Sequence, residues 1–267
     1  MQSDLASLWY LFGALIAGYL AACGGWMLVH WLRPSLWPAR KVLHTDHKWW
    51  DFVMVILATA LVIGLGLLYQ KGWLLPKLQG WSGDLIWQLN NLIIYAPIVV
   101  VLIHRAQSTA TIYLTIEGLP VKLAAGLLFG LVSVTVYLTL RGEPGRLPNV
   151  IVAAVRLSNL RNFLPVFLEG VVIAFAYVRL RWAVGQWPAL IAPGVIFAAT
   201  HIPRQLESGT GTGEMIGYFA VTAGITFFVL YTLERSRDVI WLGIVHYLMD
   251  VAIGALWAPS VPVPTVG

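Results

Sequence analysis

Long apolar runs separated by short polar stretches organise this chain. A helix needs about 20 apolar residues to cross about 30 Å of hydrocarbon. On that measure the pattern predicts eight transmembrane helices: Trp9–Leu32, Asp51–Tyr69, Leu85–Ile103, Pro120–Leu140, Leu164–Val178, Pro188–Ile202, Met215–Leu233 and Val239–Trp257. The sixth is the odd one. It is short, bounded by Pro188 and Pro203 with Pro193 inside, which suits a tilted helix or one shielded by neighbours. In the fourth, Gly126, Gly130 and Ser133 fall on or near one face, a spacing that lets helices approach closely.

The polar stretches differ in kind. Arg33, Arg40, Lys41 and Lys48 lie in the loop 33–49, and Glu234-Arg235-Ser236-Arg237-Asp238 reads as a tight charged turn. Residues 141–162 surround the weakly apolar Val150–Val155 with arginines, which predicts a loop and a short interfacial amphipathic helix. Residues 204–214, with S-G-T-G-T-G, read as a mobile linker able to gate a site. The tail with Pro259, Pro262 and Pro264 carries no charge and is expected to be unstructured.

Composition agrees with the pattern. Of 267 residues, 59% are hydrophobic and 11% charged, against roughly 25% charged in soluble domains. Mean hydropathy is +0.78. The fold class is therefore an all-α membrane protein, one polytopic bundle over 1–267. The net charge of +5 comes from scattered residues, which suits contact with the lipid bilayer and its anionic headgroups and excludes the clustered patch of a nucleic-acid binder. Cys23 is the one cysteine, so an internal disulfide and a cysteine-based metal site are excluded. Leu20-Ala21-Ala22-Cys23 spells a lipoprotein-type cleavage box, yet the apolar run continues through it to Leu32. Residues 1–8 hold Asp4 and no Lys or Arg, unlike the basic start of a secretory signal. Trp9, Trp31, Trp37, Trp49, Trp50, Trp73, Trp81, Trp187 and Trp257 sit near segment ends, as an interfacial belt would. With the N-terminus outside, inner loops hold ten of the Lys and Arg residues and outer loops seven, a small bias toward that orientation.

Four titratable residues stand inside apolar segments: Glu169 in P-V-F-L-E-G-V-V-I-A, His201 closing F-A-A-T-H, and His246 and Asp250 in H-Y-L-M-D. Ionisable groups at bilayer depth are costly and mark functional sites by default. Residues i and i+4 share a helix face, so Phe197 stacks a turn from His201, and His246 a turn from Asp250. Should the three helices meet, a carboxylate and an imidazole could hold and deprotonate a water while a second imidazole stabilises an oxyanion. Glu169, His201 and His246 could instead bind a divalent metal, although no H-E-x-x-H is present. Bis-histidine haem ligation is a further option with no marked pocket, and packed core histidines are the structural alternative.

In order and spacing these segments resemble the three motifs of the CAAX protease and bacteriocin-processing (CPBP, or Abi) intramembrane proteases: P-x-x-E-E-x-x-x-R-G, F-x-x-x-H and H-x-x-x-N/D. The resemblance covers about 115–255, with G-L-P-V-K-L-A-A-G-L-L-F-G-L at Gly118–Leu131 also in the family's style. It implies an eight-span bundle with a conical cavity, in a bacterial inner membrane. It also implies endoproteolysis of membrane-associated substrates such as prenylated C-terminal peptides or bacteriocin leaders, with Glu169, His201, His246 and Asp250 catalytic and Phe197 supporting. Phe197, His201, His246 and Asp250 match outright. With Pro165 aligned, Glu169 takes the second glutamate position, while Leu168 stands at the first, water-activating one; Ile173 and Ala174 replace the arginine and glycine. An offset of one residue turns a side chain by about 100°. A second reading therefore stays open, in which the chain is a catalytically inactive relative serving as scaffold, chaperone or structural subunit among partner membrane proteins.

Overall fold

The computed structural model describes residues 2–37, 47–76, 78 and 80–257, apart from the side chains of residues 2–9, 204 and 255–257. The expectations placed on Arg40, Lys41 and the proline tail, and on the side chains of Trp9 and Trp257, lie outside those residues. Eleven α-helices form among them: α1 (Gln2–Leu32), α2 (Lys48–Gln70), α3 (Gly80–His104), α4 (Leu119–Leu140), α5 (Leu147–Val155), α6 (Leu157–Leu160), α7 (Phe163–Val184), α8 (Gln186–Thr200), α9 (Ile202–Glu207), α10 (Thr212–Ser236) and α11 (Val239–Trp257). Six segments are long and apolar enough to cross a membrane: Tyr10–Leu32, Lys48–Gln70, Gly80–His104, Leu119–Leu140, Leu157–Val184 and Thr212–Ser236. The chain is a multi-pass, all-helical integral membrane protein. The 15 residues of α8 and the apolar part of α11, Val239–Gly254, are shorter.

The largest departure from the sequence pattern is α7, which does not stop at Val178. It carries Arg179 inside and ends at Gly185, whose φ of 90° a side chain would strain. The chain reverses there directly into α8. Arg179, one residue past the expected end of the span, stays helical because it is buried against Phe175, Gln107 and Thr111. The stretch expected to be a linker is mostly helical: α9 and the first turn of α10 take up all of 204–214 except residues 208–211. A short helical segment does stand between the fourth and fifth spans, as α5 and α6, and Tyr247 of α11 ties it down by donating a 2.6 Å hydrogen bond to the Ala154 carbonyl.

Packing places α4 between α1 and α11, and α7 among α2, α8 and α11. The small residues of α4 make its contact with α11 possible. A Cβ on Gly126 would lie 2.7 Å from Ile244, and one on Gly130 2.5 Å from Leu248. Trp31, Trp49, Trp50, Trp73, Trp81 and Trp187 are exposed at helix ends, as a belt requires. Trp37 is not. It is buried edge-on against Trp26 and donates its indole N–H to the Ser236 carbonyl at 2.6 Å, because the chain after α1 folds back under the α10–α11 turn.

Candidate functional site

The bundle has two polar ends, and they differ. At one, the α2 start, α3 end, α4 start, α7 end and α10–α11 turn exchange charges. Arg105 pairs with Asp51 at 3.0 Å, Lys122 with Asp238 at 2.7 Å and Arg181 with Glu234 at 2.6 Å. Asp238 also caps α11 by accepting from the Ile240 N–H at 2.9 Å. Glu234 accepts from the Tyr177 and Tyr113 hydroxyls at 2.8 and 3.2 Å. Burial first, and then the charge of Glu234, push the Tyr113 phenol above its usual range, so it remains a donor. These ion pairs are structural equipment, although the buried Arg179 beside them leaves Nε and Nη1 without a hydrogen-bond partner.

The other polar group lies deeper, where α7 faces α11. Gly243 lets the two helices close, since a Cβ there would stand 2.6 Å from the Phe167 ring. Glu169, half-buried on α7, thereby comes within electrostatic reach of His246 and Asp250 on α11. His246 Nε2 stands 3.7 Å from Asp250 Oδ1, one helical turn on. Glu169 itself makes no hydrogen bond or ion pair within contact distance among the described residues. Beside it runs a cavity of about 70 Å³ lined by Gly170 and Ile173 of α7, Gly243 and His246 of α11, Phe197 of α8, Thr226 of α10 and Tyr19 of α1. A water occupies about 30 Å³ of liquid volume, so the space admits water next to an imidazole and near a carboxylate.

Of the residues singled out by sequence, Glu169, His246 and Asp250 gather here, and Phe197 forms part of the wall. His201 does not join them. It is exposed at the C-terminal end of α8, its Nδ1 2.9 Å from the Phe197 carbonyl oxygen and its ring edge-on to the Phe197 ring at 4.8 Å. The i, i+4 relation predicted for Phe197 and His201 is present, yet it turns the imidazole along its own helix. The metal alternative consequently lacks its ligand set: among the described residues no group of three His, Cys, Asp or Glu side chains is placed to hold an ion. Ile173, which stands where the resembling family has arginine, presents an apolar wall to the cavity.

Two residues at this site were not evident from sequence. The phenols of Tyr19 on α1 and Tyr95 on α3 both lie within electrostatic reach of Glu169. A polar aromatic in the middle of an apolar run was the available signal, and the belt of end-placed aromatics obscured it. No protein-family model, curated protein or solved structure matches the chain.

Proposed function

We propose that the chain is a divergent CPBP-type intramembrane endopeptidase, multi-pass with eight spans in a bacterial inner membrane, that hydrolyses a peptide bond of a membrane-associated substrate. One observation carries this reading: Glu169 approaches His246 across the α7–α11 seam, beside a cavity with room for water. In this scheme Glu169 accepts a proton from the water as its oxygen attacks the scissile carbonyl carbon. His246, oriented by Asp250, donates to the developing oxyanion, and the proton held on Glu169 passes to the leaving amine as the C–N bond breaks. The scheme differs from the expectation that His201 partners Glu169, since the nearer imidazole is His246. His201 would enter only by rotation of the α8 end.

The test is cleavage of a membrane-anchored peptide library by the purified protein, with Glu169→Gln and His246→Ala alongside. Loss of cleavage in both variants, with folding intact, supports the scheme; cleavage unaffected by both overturns it.

A second reading is favoured by Leu168 and Ile173 at the acid and arginine positions and by the outward His201. In it the inherited bundle is inactive and holds a partner membrane protein as scaffold, chaperone or subunit. Stoichiometric copurification of one membrane partner, without cleavage of any peptide, is its expected result.

A further inference from the structure

Three of the side chains lining the cavity beside Glu169 can hydrogen-bond: Tyr19, Thr226 and His246. Thr226 is already committed, since its hydroxyl donates to the Thr222 carbonyl of its own helix at 2.8 Å. His246 stands 3.7 Å from Asp250 and has its part in the proposed hydrolysis. Tyr19 is left. Its hydroxyl makes no hydrogen bond among the described residues, and unlike the Tyr137 hydroxyl and Ser133 Oγ it is not sealed off by packing.

Two close approaches bring this phenol to the site. A Cβ on Gly18 would lie 3.0 Å from the Ser133 carbonyl oxygen and 3.1 Å from Met249 Cε, so α1 rests on α4 and reaches α11 at the residue before Asp250. A Cβ on Gly217 would lie 2.7 Å from the Phe12 ring, and Phe12 meets Tyr218 edge-on at 5.0 Å, which holds α1 against α10. Tyr19 follows Gly18, and its ring packs partly buried against both hydrophobic clusters of the bundle. Glu169 and Asp250 are the acids within its electrostatic reach. A ring fixed by packing with its polar end open is a donor placed before its acceptor arrives.

We propose that Tyr19 is a second oxyanion donor, its hydroxyl and the His246 imidazole both donating to the carbonyl oxygen of the scissile peptide bond, an inference that rests on the peptidase reading and adds one group to it. Negative charge grows on that oxygen as water adds to the carbonyl carbon. The rest of the wall, including Ile173, Val229 and Leu242, is apolar and offers that charge nothing. Donors fixed in advance in such surroundings stabilise developing charge far better than they would in water. The phenol keeps its proton. The water proton still passes to Glu169 and on to the leaving amine, and Tyr19 forms and breaks no covalent bond.

Steady-state cleavage of a membrane-anchored peptide by the full chain in detergent, with Tyr19→Phe alongside, tests the assignment. The substitution keeps the ring and removes the hydroxyl. It is expected to lower kcat about 10²-fold, the worth of one oxyanion donor, with KM and the unfolding midpoint unchanged. Affinity for a peptide phosphonamidate, whose tetrahedral oxygens mimic the oxyanion, is a readout that packing alone would not move. Tyr19→Phe should weaken it about 10²-fold and leave the affinity of the parent peptide, measured in the Glu169→Gln background, as it was. Unchanged kcat or unchanged phosphonamidate affinity in folded Tyr19→Phe overturns the inference. Should that variant fail to fold, a fluorotyrosine placed at Tyr19 decides: its fluorine resonance is expected to move when the phosphonamidate binds, and an unmoved resonance overturns the inference. A wild type that cleaves no peptide and binds no phosphonamidate overturns the peptidase reading itself, and this assignment with it.

Discussion

The two polar regions of the bundle contain the same kinds of residue and treat them in opposite ways. Around Lys122–Asp238 and Arg181–Glu234, acids and bases meet at 2.7 and 2.6 Å, with tyrosine hydroxyls and a helix cap taking up the remaining lone pairs. Around Glu169 there is a carboxylate without a contact partner, a histidine 3.7 Å from its own neighbour, and a cavity. An ionisable group taken out of water is tolerated when it is paired. One left unpaired at depth is retained for another reason, and chemistry is the commonest one. The first region holds helices together, and the second is the candidate for work.

The comparison is broken most sharply by removing one partner of a buried pair. Lys122→Met removes the ammonium that meets Asp238 at 2.7 Å in a buried pair, and is expected to cost about 3–5 kcal/mol of stability, measured by denaturant unfolding in detergent. Lys122→Met with Asp238→Asn should recover much of that loss, because the charge is gone and asparagine still caps α11. A single variant as stable as wild type would show that the pairing contributes nothing.

Glu169→Gln should do the reverse. Cleavage is expected to fall by about 10²–10⁴-fold while unfolding free energy stays within about 1 kcal/mol, since no ion pair is broken. A loss of stability comparable to that of Lys122→Met would return Glu169 to the structural class. Next in size is Gly126→Ala, which drives a methyl group to 2.7 Å from Ile244 and should cost about 1–3 kcal/mol. It separates packing from charge as the source of α4–α11 association, and no change in unfolding would deny the close approach. The smallest effect belongs to His201→Ala, within about 0.5 kcal/mol in stability because the ring is exposed. Cleavage assays on that variant sharpen the comparison further. Retained activity fits the outward ring, and lost activity means that the α8 end turns inward during turnover.

The all-helical membrane class and the approximate positions of six long helices were legible because bilayer thickness sets a length that a run such as Leu119–Leu140 satisfies by composition alone. The end of α7 was misread at Arg179, since an arginine after an apolar run ordinarily marks the interface, and its burial depends on Gln107 and Thr111, about seventy residues earlier in the chain. The pairing of His246 with Asp250 followed from helical periodicity. The separation of His201 from Glu169 did not, because periodicity fixes which face of a helix a residue occupies and says nothing about which neighbour that face meets. Tyr19 and Tyr95 became part of the site only when α1 was placed against α4 and α10, and α3 against α7.

The sequence by itself therefore determined a helical membrane bundle, its small-residue face on α4, and which acids and imidazoles stand in apolar segments. Each of these depends on local composition and a period of 3.6 residues. Tertiary structure alone decided which charges are paired and which are left open. Pairing is a matter of distances between segments far apart in the chain, and close approaches such as Gly243 against Phe167 set those distances.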